Sequence, residues 1–138
     1  MKISAHIDNL EGEHHIALTT DGNTHSILIP PKPSGFGSSV NGGELLFLAL
    51  ATCYCNDVYR EAAKRHIMVE RVEVEVKGDF GAAGKPAHNV TYRAQVHAKG
   101  SEEEIRALME YTDTVAEIQN TLRTSTPVRL TDIEVINT

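Results

Sequence analysis

From Leu45 to Cys55 the chain reads LLFLALATCYC, apolar nearly all the way round if it is helical. Good helix formers dominate from Glu44 to about Arg65, which predicts one long helix there. Glu44 falls in its first turn, where the positive end of the helix dipole favours a carboxylate. The second half, YREAAKRH, becomes amphipathic and ends in cations, as a helix C-terminus prefers. A helix apolar on this many sides needs more cover than one sheet face supplies. A second subunit would supply the rest, so a homodimer is expected. The apolar run is well short of the ~20 residues that cross a membrane.

The flanking segments read as strands. KISAHID and EHHIALTT surround the turn-like NLEG, and THSILIP follows DGN, a sequence suited to a tight hairpin. Residues 30–43, PPKPSGFGSSVNGG, are too rich in Pro, Gly and Ser for regular structure. Such a loop is either functional or a flexible connector. After the helix, VERVEVEVKGDF alternates strictly, with Val72, Val74 and Val76 on one face and Glu73, Glu75 and Lys77 on the other. GAAGKPAH is a turn, and NVTYRAQVHAKG alternates again with Val90, Tyr92, Ala94 and Val96 inward. Ser101 and Glu104 form a capping box for a helix through IRALMEYT. A softer TDT at residues 112–114 precedes a further helical piece, VAEIQNTLRT, and PVRLTDIEVI reads as a closing strand. The order β-β-β-α-β-β-α-α-β with hairpins implies an α+β class and one domain over residues 1–138.

The 138 residues carry a net charge of −6 with no basic stripe, which argues against nucleic acid as a partner. Met1 to Asp8 is too short and polar for a secretory core, so the cytoplasm is the expected compartment, where thiols stay reduced. Cys53 and Cys55 are the only cysteines. On a helix, residues two apart are rotated by about 200°, so the two can share neither a disulfide nor one metal ion. No Cys or His has zinc-finger spacing, and His6, His14, His15, His25, His66, His88 and His97 read as surface residues; no metal and no cofactor are expected. A free cysteine in an apolar helix is ordinarily a small core residue with a raised pKa. Reactivity needs a nearby cation or a helix N-terminus, plus exposure. Neither thiol lies in the first turn, so a helper has to come from elsewhere in the fold or from another subunit.

The motif order adds a resemblance. A Gly-rich loop, then NGGELLFLALATC, then YREAAKRHIMVERVEVEVKGDF, resembles the OsmC/Ohr family, which often has an Asn-Pro-Glu-Glu-Leu-Leu-like start and a cysteine about ten residues on. IQNTLRTSTPVRLTDIEV resembles the family's ending, where a Cys-Pro-Val-Ser-like stretch precedes Asn-Thr-Leu. The resemblance spans nearly the whole chain. It implies an intertwined homodimer, with antiparallel sheet wrapped around long central helices. It also implies reduction of organic hydroperoxides by a cysteine pair, with an external dithiol reductant and an arginine and a glutamate beside the first thiol. Cys53 matches the attacking cysteine. The second cysteine falls near Ala116 and is absent, Gly43 stands where the family has its glutamate, and Glu44 matches the acidic residue after it. No arginine precedes Arg60; Lys2 and Lys32 are the only cations there, and Lys32 is the candidate substitute.

Three functional readings follow. One is a one-cysteine peroxidase in oxidative stress defence, with Cys53 as nucleophile, Glu44 and Cys55 as secondary candidates and an external thiol as reductant. The second is a non-catalytic dimer that binds a small apolar or electrophilic ligand at its interface. The third is a structural dimer acting through a protein partner.

Overall fold

A computed structural model describes every residue from Met1 to Thr138. The elements are β1 (Ile3–Leu10), β2 (Glu13–Thr20), β3 (Asn23–Ser26), α1 (Gly42–Lys64), β4 (Met68–Asp79), β5 (His88–Lys99), α2 (Glu102–Val115) and α3 (Glu117–Arg123). Two antiparallel sheets, β1-β2-β3 and β4-β5, together with three helices make the expected α+β class. The chain divides into two compact units, Met1–Leu46 and Phe47–Thr138.

In the first unit β1 pairs with β2 from Ile3↔Thr20 to Leu10↔Glu13, and β2 with β3 from Ala17↔Ser26 to Thr20↔Asn23. The second hairpin turns at Asp21 (φ 46) and Gly22 (φ 82), both left-handed, as a two-residue turn that follows the strand twist requires. β3 stops at Ser26, short of the expected THSILIP: its ladder with β2 ends at the Ala17↔Ser26 pair, and Leu28 beyond it is exposed. Residues 30–43 hold more order than their composition predicts. The Lys32 N–H donates to the Gly37 carbonyl at 3.0 Å, the Ser39 N–H to Pro30 at 3.0 Å, and the Gly37 N–H to Asn9 Oδ1 at 2.9 Å. The start of α1 is capped: Asn41 Oδ1 accepts from the Glu44 N–H at 2.8 Å, and Glu44 Oε1 accepts from the Asn41 N–H at 3.2 Å.

The second unit is built on a helical stripe. Tyr54, Val58 and Ala62 recur every four residues along α1 and, with Leu108 of α2, form its buried core. Against it pack Ile67, Val69, Val72, Val74, Tyr92, Ala94 and Val96, the inward face that the alternation of β4 and β5 predicts. Tyr54 meets Tyr92 edge-on at 5.0 Å between ring centroids. Val90, expected inward, is exposed beside a register irregularity between Lys77 and Asp79. Phe47 lies on Gly78, where an added Cβ would sit 2.6 Å from the ring.

Early α1 keeps one side open within this chain, as expected of a helix with more apolar faces than one sheet covers: Leu50 is buried but Leu48 is 60% exposed. Two expectations are corrected. The break between the last two helices falls at Ala116, not at residues 112–114. Thr112 is compatible with the helix because its hydroxyl donates to the Leu108 carbonyl one turn back, at 2.8 Å. The closing strand PVRLTDIEVI is not formed. A strand exists through its hydrogen-bonded neighbour, and no segment of this chain pairs with residues 127–138. Val128, Leu130, Ile133, Val135 and Ile136 stand exposed there.

Candidate functional site

Helix geometry assembles the first half of the site. From Cys53, four residues along α1 is a rotation of about 40°, and seven is within about 20° of full turns. Cys53, Asp57 and Arg60 therefore share one stripe. The second half comes from the break at Ala116, whose extended backbone (φ −71, ψ 107) ends α2 and turns the chain into α3. Glu117 and the Ile118 N–H are thereby delivered onto Cys53. Gln119 ties α3 down, its Nε2 donating to the Leu50 carbonyl at 3.0 Å. Its own Oε1 is buried without a partner.

The resulting cluster is polar. The Cys53 thiol lies 3.5 Å from Asp57 Oδ2 and 3.6 Å from Glu117 Oε2, and its single proton serves one acceptor at a time. Arg60 Nη1 bridges Asp57 Oδ1 at 2.8 Å and Glu117 Oε1 at 3.1 Å, while its Nε donates to Glu61 at 2.9 Å. Glu61 in turn holds Lys64 at 2.9 Å and Arg65 at 3.4 Å. The Asp57 side chain is 7% exposed and that of Glu117 63%. Asp57 is thus the buried carboxylate of the cluster and Glu117 the exposed one.

Burial pushes the Cys53 thiol above the ordinary cysteine value of 9.0; the Ile118 N–H opposes this, and the Asp57 and Glu117 carboxylates add to it. Burial likewise raises Asp57, helped by a hydrogen bond shared with Glu117 and opposed by the Arg60 charge. Glu117 goes down, held first by its own backbone N–H. Of the two carboxylates, the buried Asp57 is the one that takes up a proton more readily. The sulfur and the two carboxylate oxygens lie within 4.8 Å of one another, a donor set that could face a cation. The Arg60 guanidinium already occupies both carboxylates, so the cluster is an ion-pair network around a thiol.

The other sequence candidates lie elsewhere. Glu44 is engaged in the cap of α1. Cys55 faces a small cleft of about 270 Å³ with Ala51, Thr52, Asn56 and Val74. Both thiols are free and half-buried. Lys32 curls within its own loop, its side chain beneath Gly37. Sequence reasoning looked for a cation before the helix and missed Asp57 and Arg60, although the 53/57/60 spacing on one helix carries that signal. Glu117 had no spacing signal, because it comes from another element. A second concavity of about 960 Å³ runs between β5 and α2, lined by Tyr54, Tyr92, Val96, Ile105 and Met109 among others.

Comparison with known proteins places this geometry. A family model described as OsmC-like protein matches residues 35–131, more than half of the chain. Among curated proteins no sequence match is found. Among solved structures, the chain is similar to an OsmC-like protein from Mycoplasma pneumoniae (TM-score 0.58, 20% identity, 87% of each chain covered). It is also similar to an OsmC-like protein of unknown function from Vibrio cholerae (TM-score 0.59, 18% identity, 88% of this chain and 93% of that one). A third, from Legionella pneumophila, is described as an organic hydroperoxide resistance protein (TM-score 0.51, 20% identity, 86% and 89% covered). At these identities the structural likeness speaks for the fold. No helix of the chain is long and apolar enough to cross a membrane.

Proposed function

The chain belongs to the OsmC-like protein family, and from that premise we propose that it is a one-cysteine thiol peroxidase with Cys53 as nucleophile. The observation that carries this reading is the company Cys53 keeps. A packing cysteine sits among apolar side chains, whereas this one faces Asp57, Glu117 and, through them, Arg60. In the reaction the Cys53 proton passes to the Asp57 carboxylate, and the sulfur attacks the distal oxygen of a hydroperoxide. The O–O bond breaks, the departing alkoxide takes the proton back as an alcohol, and the sulfur becomes a sulfenic acid. A carboxylate with a raised pKa is the better proton acceptor for this role. With alanine at 116 there is no second thiol from α3 to close a disulfide. An external thiol condenses with the sulfenic acid, releasing water, and a second one frees Cys53 and leaves as a disulfide.

The reading includes a homodimer, supported by the exposed apolar side chains of residues 127–138, of Leu48 and of β1 (Ile3, Ile7, Leu10). It also includes a reducing compartment, the cytoplasm, and a role in oxidative stress defence.

One observation favours the second reading, non-catalytic capture of a small apolar or electrophilic ligand: burial and two carboxylates keep Cys53 protonated near neutral pH. Peroxide consumption decides between them. With cumene hydroperoxide and dithiothreitol, turnover lost in Cys53→Ser and kept in Cys55→Ser is the expected result. No turnover, with Cys53 unoxidised by mass spectrometry, overturns the peroxidase reading and leaves capture.

A further inference from the structure

The charges around Cys53 are arranged with one sign at the sulfur. Its two charged neighbours, at 3.5 and 3.6 Å, are both carboxylates. Arg60 touches those carboxylates on their other oxygens, Asp57 Oδ1 and Glu117 Oε1, leaving Asp57 Oδ2 and Glu117 Oε2 turned to the thiol. Of the pair, only Glu117 is at the surface, 63% exposed, so it is the carboxylate beside the sulfur that solvent also reaches. The chain as a whole has the same sign, with a net charge of −6.

We propose that Glu117 is a specificity-determining residue that selects neutral and cationic reactants over anionic ones at Cys53. This deepens the peroxidase reading and rests on Cys53 being the reacting atom. It names the substrate class as uncharged or cationic hydroperoxides, and the reductant class as uncharged or cationic thiols. Reactants that carry an ionised carboxylate or sulfonate near the reacting atom are disfavoured. When the Cys53 proton has passed to Asp57, an anion stopping at the sulfur still stands a few ångströms from the Glu117 carboxylate, whose Oε2 is turned to the sulfur while Arg60 holds its other oxygen, and this contact slows its reaction.

Methanethiosulfonate reagents test this without any peroxide. The Cys53 sulfur displaces methanesulfinate from the reagent and forms a disulfide with its alkyl thiol, so one reaction is run with three charges. In the Cys55→Ser background the aminoethyl (cationic), methyl (neutral) and sulfonatoethyl (anionic) reagents are compared by the rate of mass gain, with each rate divided by that of free cysteine. The cationic rate is expected to exceed the anionic one. Glu117→Gln, which keeps the side chain's shape, is expected to lower that ratio about tenfold, since one charge some 6 Å away in a wet cleft shifts each reagent by about three- to fivefold in opposite directions. Glu103→Gln, an exposed carboxylate of α2 away from the cluster, leaves the ratio unchanged. Glu117→Ser, tested for folding by circular dichroism, gives the same direction if the glutamine variant is poorly folded. A ratio unmoved by Glu117 variants, an anion preferred by wild type, or a Cys53 that none of the three reagents reaches overturns the proposal. Charge selection without peroxide turnover sinks the peroxidase reading and leaves this one standing. Turnover with an unmoved ratio does the reverse.

Discussion

Replacing Arg60 by glutamine isolates what holds the site together. Arg60 contacts Asp57, Glu61 and Glu117 at 2.8, 2.9 and 3.1 Å. Glutamine leaves three carboxylates close together, two of them, Asp57 and Glu61, only 7% and 3% exposed. Breaking a buried pair by removing one partner costs about 3–5 kcal/mol. Arg60 is itself 40% exposed, and Lys64 and Arg65 still neutralise Glu61, so solvent and these neighbours screen the loss to about 1–3 kcal/mol. The pH dependence follows from Asp57. Its folded pKa is raised by burial and by Glu117, and the Arg60 charge restrains that rise. Without Arg60 the folded state binds the Asp57 proton more readily than the unfolded chain does. Stability then falls as pH rises through the folded pKa and is recovered below it. The Arg60→Gln loss is therefore larger at about pH 8 than at about pH 5. Urea midpoints at fixed protein concentration measure it. Asp57→Asn combined with Arg60→Gln should return part of the loss at the higher pH, as a double-mutant cycle reports. An Arg60→Gln loss that is equal or greater at about pH 5, or one the second change does not relieve, would refute the claim that Arg60 acts by neutralising Asp57.

Other outcomes follow from single features. In Cys55→Ser protein the rate of Cys53 alkylation by iodoacetamide should still be climbing at pH 9.0, because burial and the two carboxylates hold the thiol above its ordinary value; a plateau near neutral pH contradicts this. Asp57→Asn should shift that profile toward lower pH, as the raising charge is removed. Gly78→Ala drives a methyl into the Phe47 ring and should destabilise by about 1–3 kcal/mol in thermal unfolding, the usual scale of overpacking. Ala116→Cys places a thiol at the α2–α3 break beside the residue that touches Cys53; after peroxide treatment it should form a disulfide with Cys53, read as a reducible cross-link in peptide mapping, and its absence would detach Cys53 from the family's attacking position.

What could be read from the sequence was whatever one element settles by itself. The strict alternation gave the inward face of β4: Val72 and Val74 pack on the core, and Val76 is half-buried on the same face. Ser101 and Glu104 announced α2 by a reciprocal cap that the structure forms. Asp-Gly at 21 and 22 gave the β2–β3 turn because few other pairs accept two left-handed residues. The misses need more than one element. Thr112–Thr114 read as a softer spot because their propensity is poor, but Thr112 is held within α2 by the Leu108 carbonyl and Asp113 is held from α3 by Arg123 at 2.7 Å. The closing strand failed for the same reason in reverse. Its residues prefer an extended backbone, yet a lone strand has no partner for its N–H and C=O groups, and its apolar side chains gain nothing until another surface covers them.

The site divides along the same line. Asp57 and Arg60 were written in the periodicity of α1 and needed only the question of what lies four and seven residues beyond Cys53. Glu117 was not, because it lies sixty-four positions further on, past the break at Ala116. Its charge adds to burial and to Asp57 in raising the thiol. A cation there would lower the thiol's pKa and draw anions in, the opposite of the selection proposed for Glu117. The resemblance placed an attacking cysteine at 53 and an empty resolving position at 116. It did not carry the sign of the charge at 117, on which the proposed charge selection at Cys53 rests.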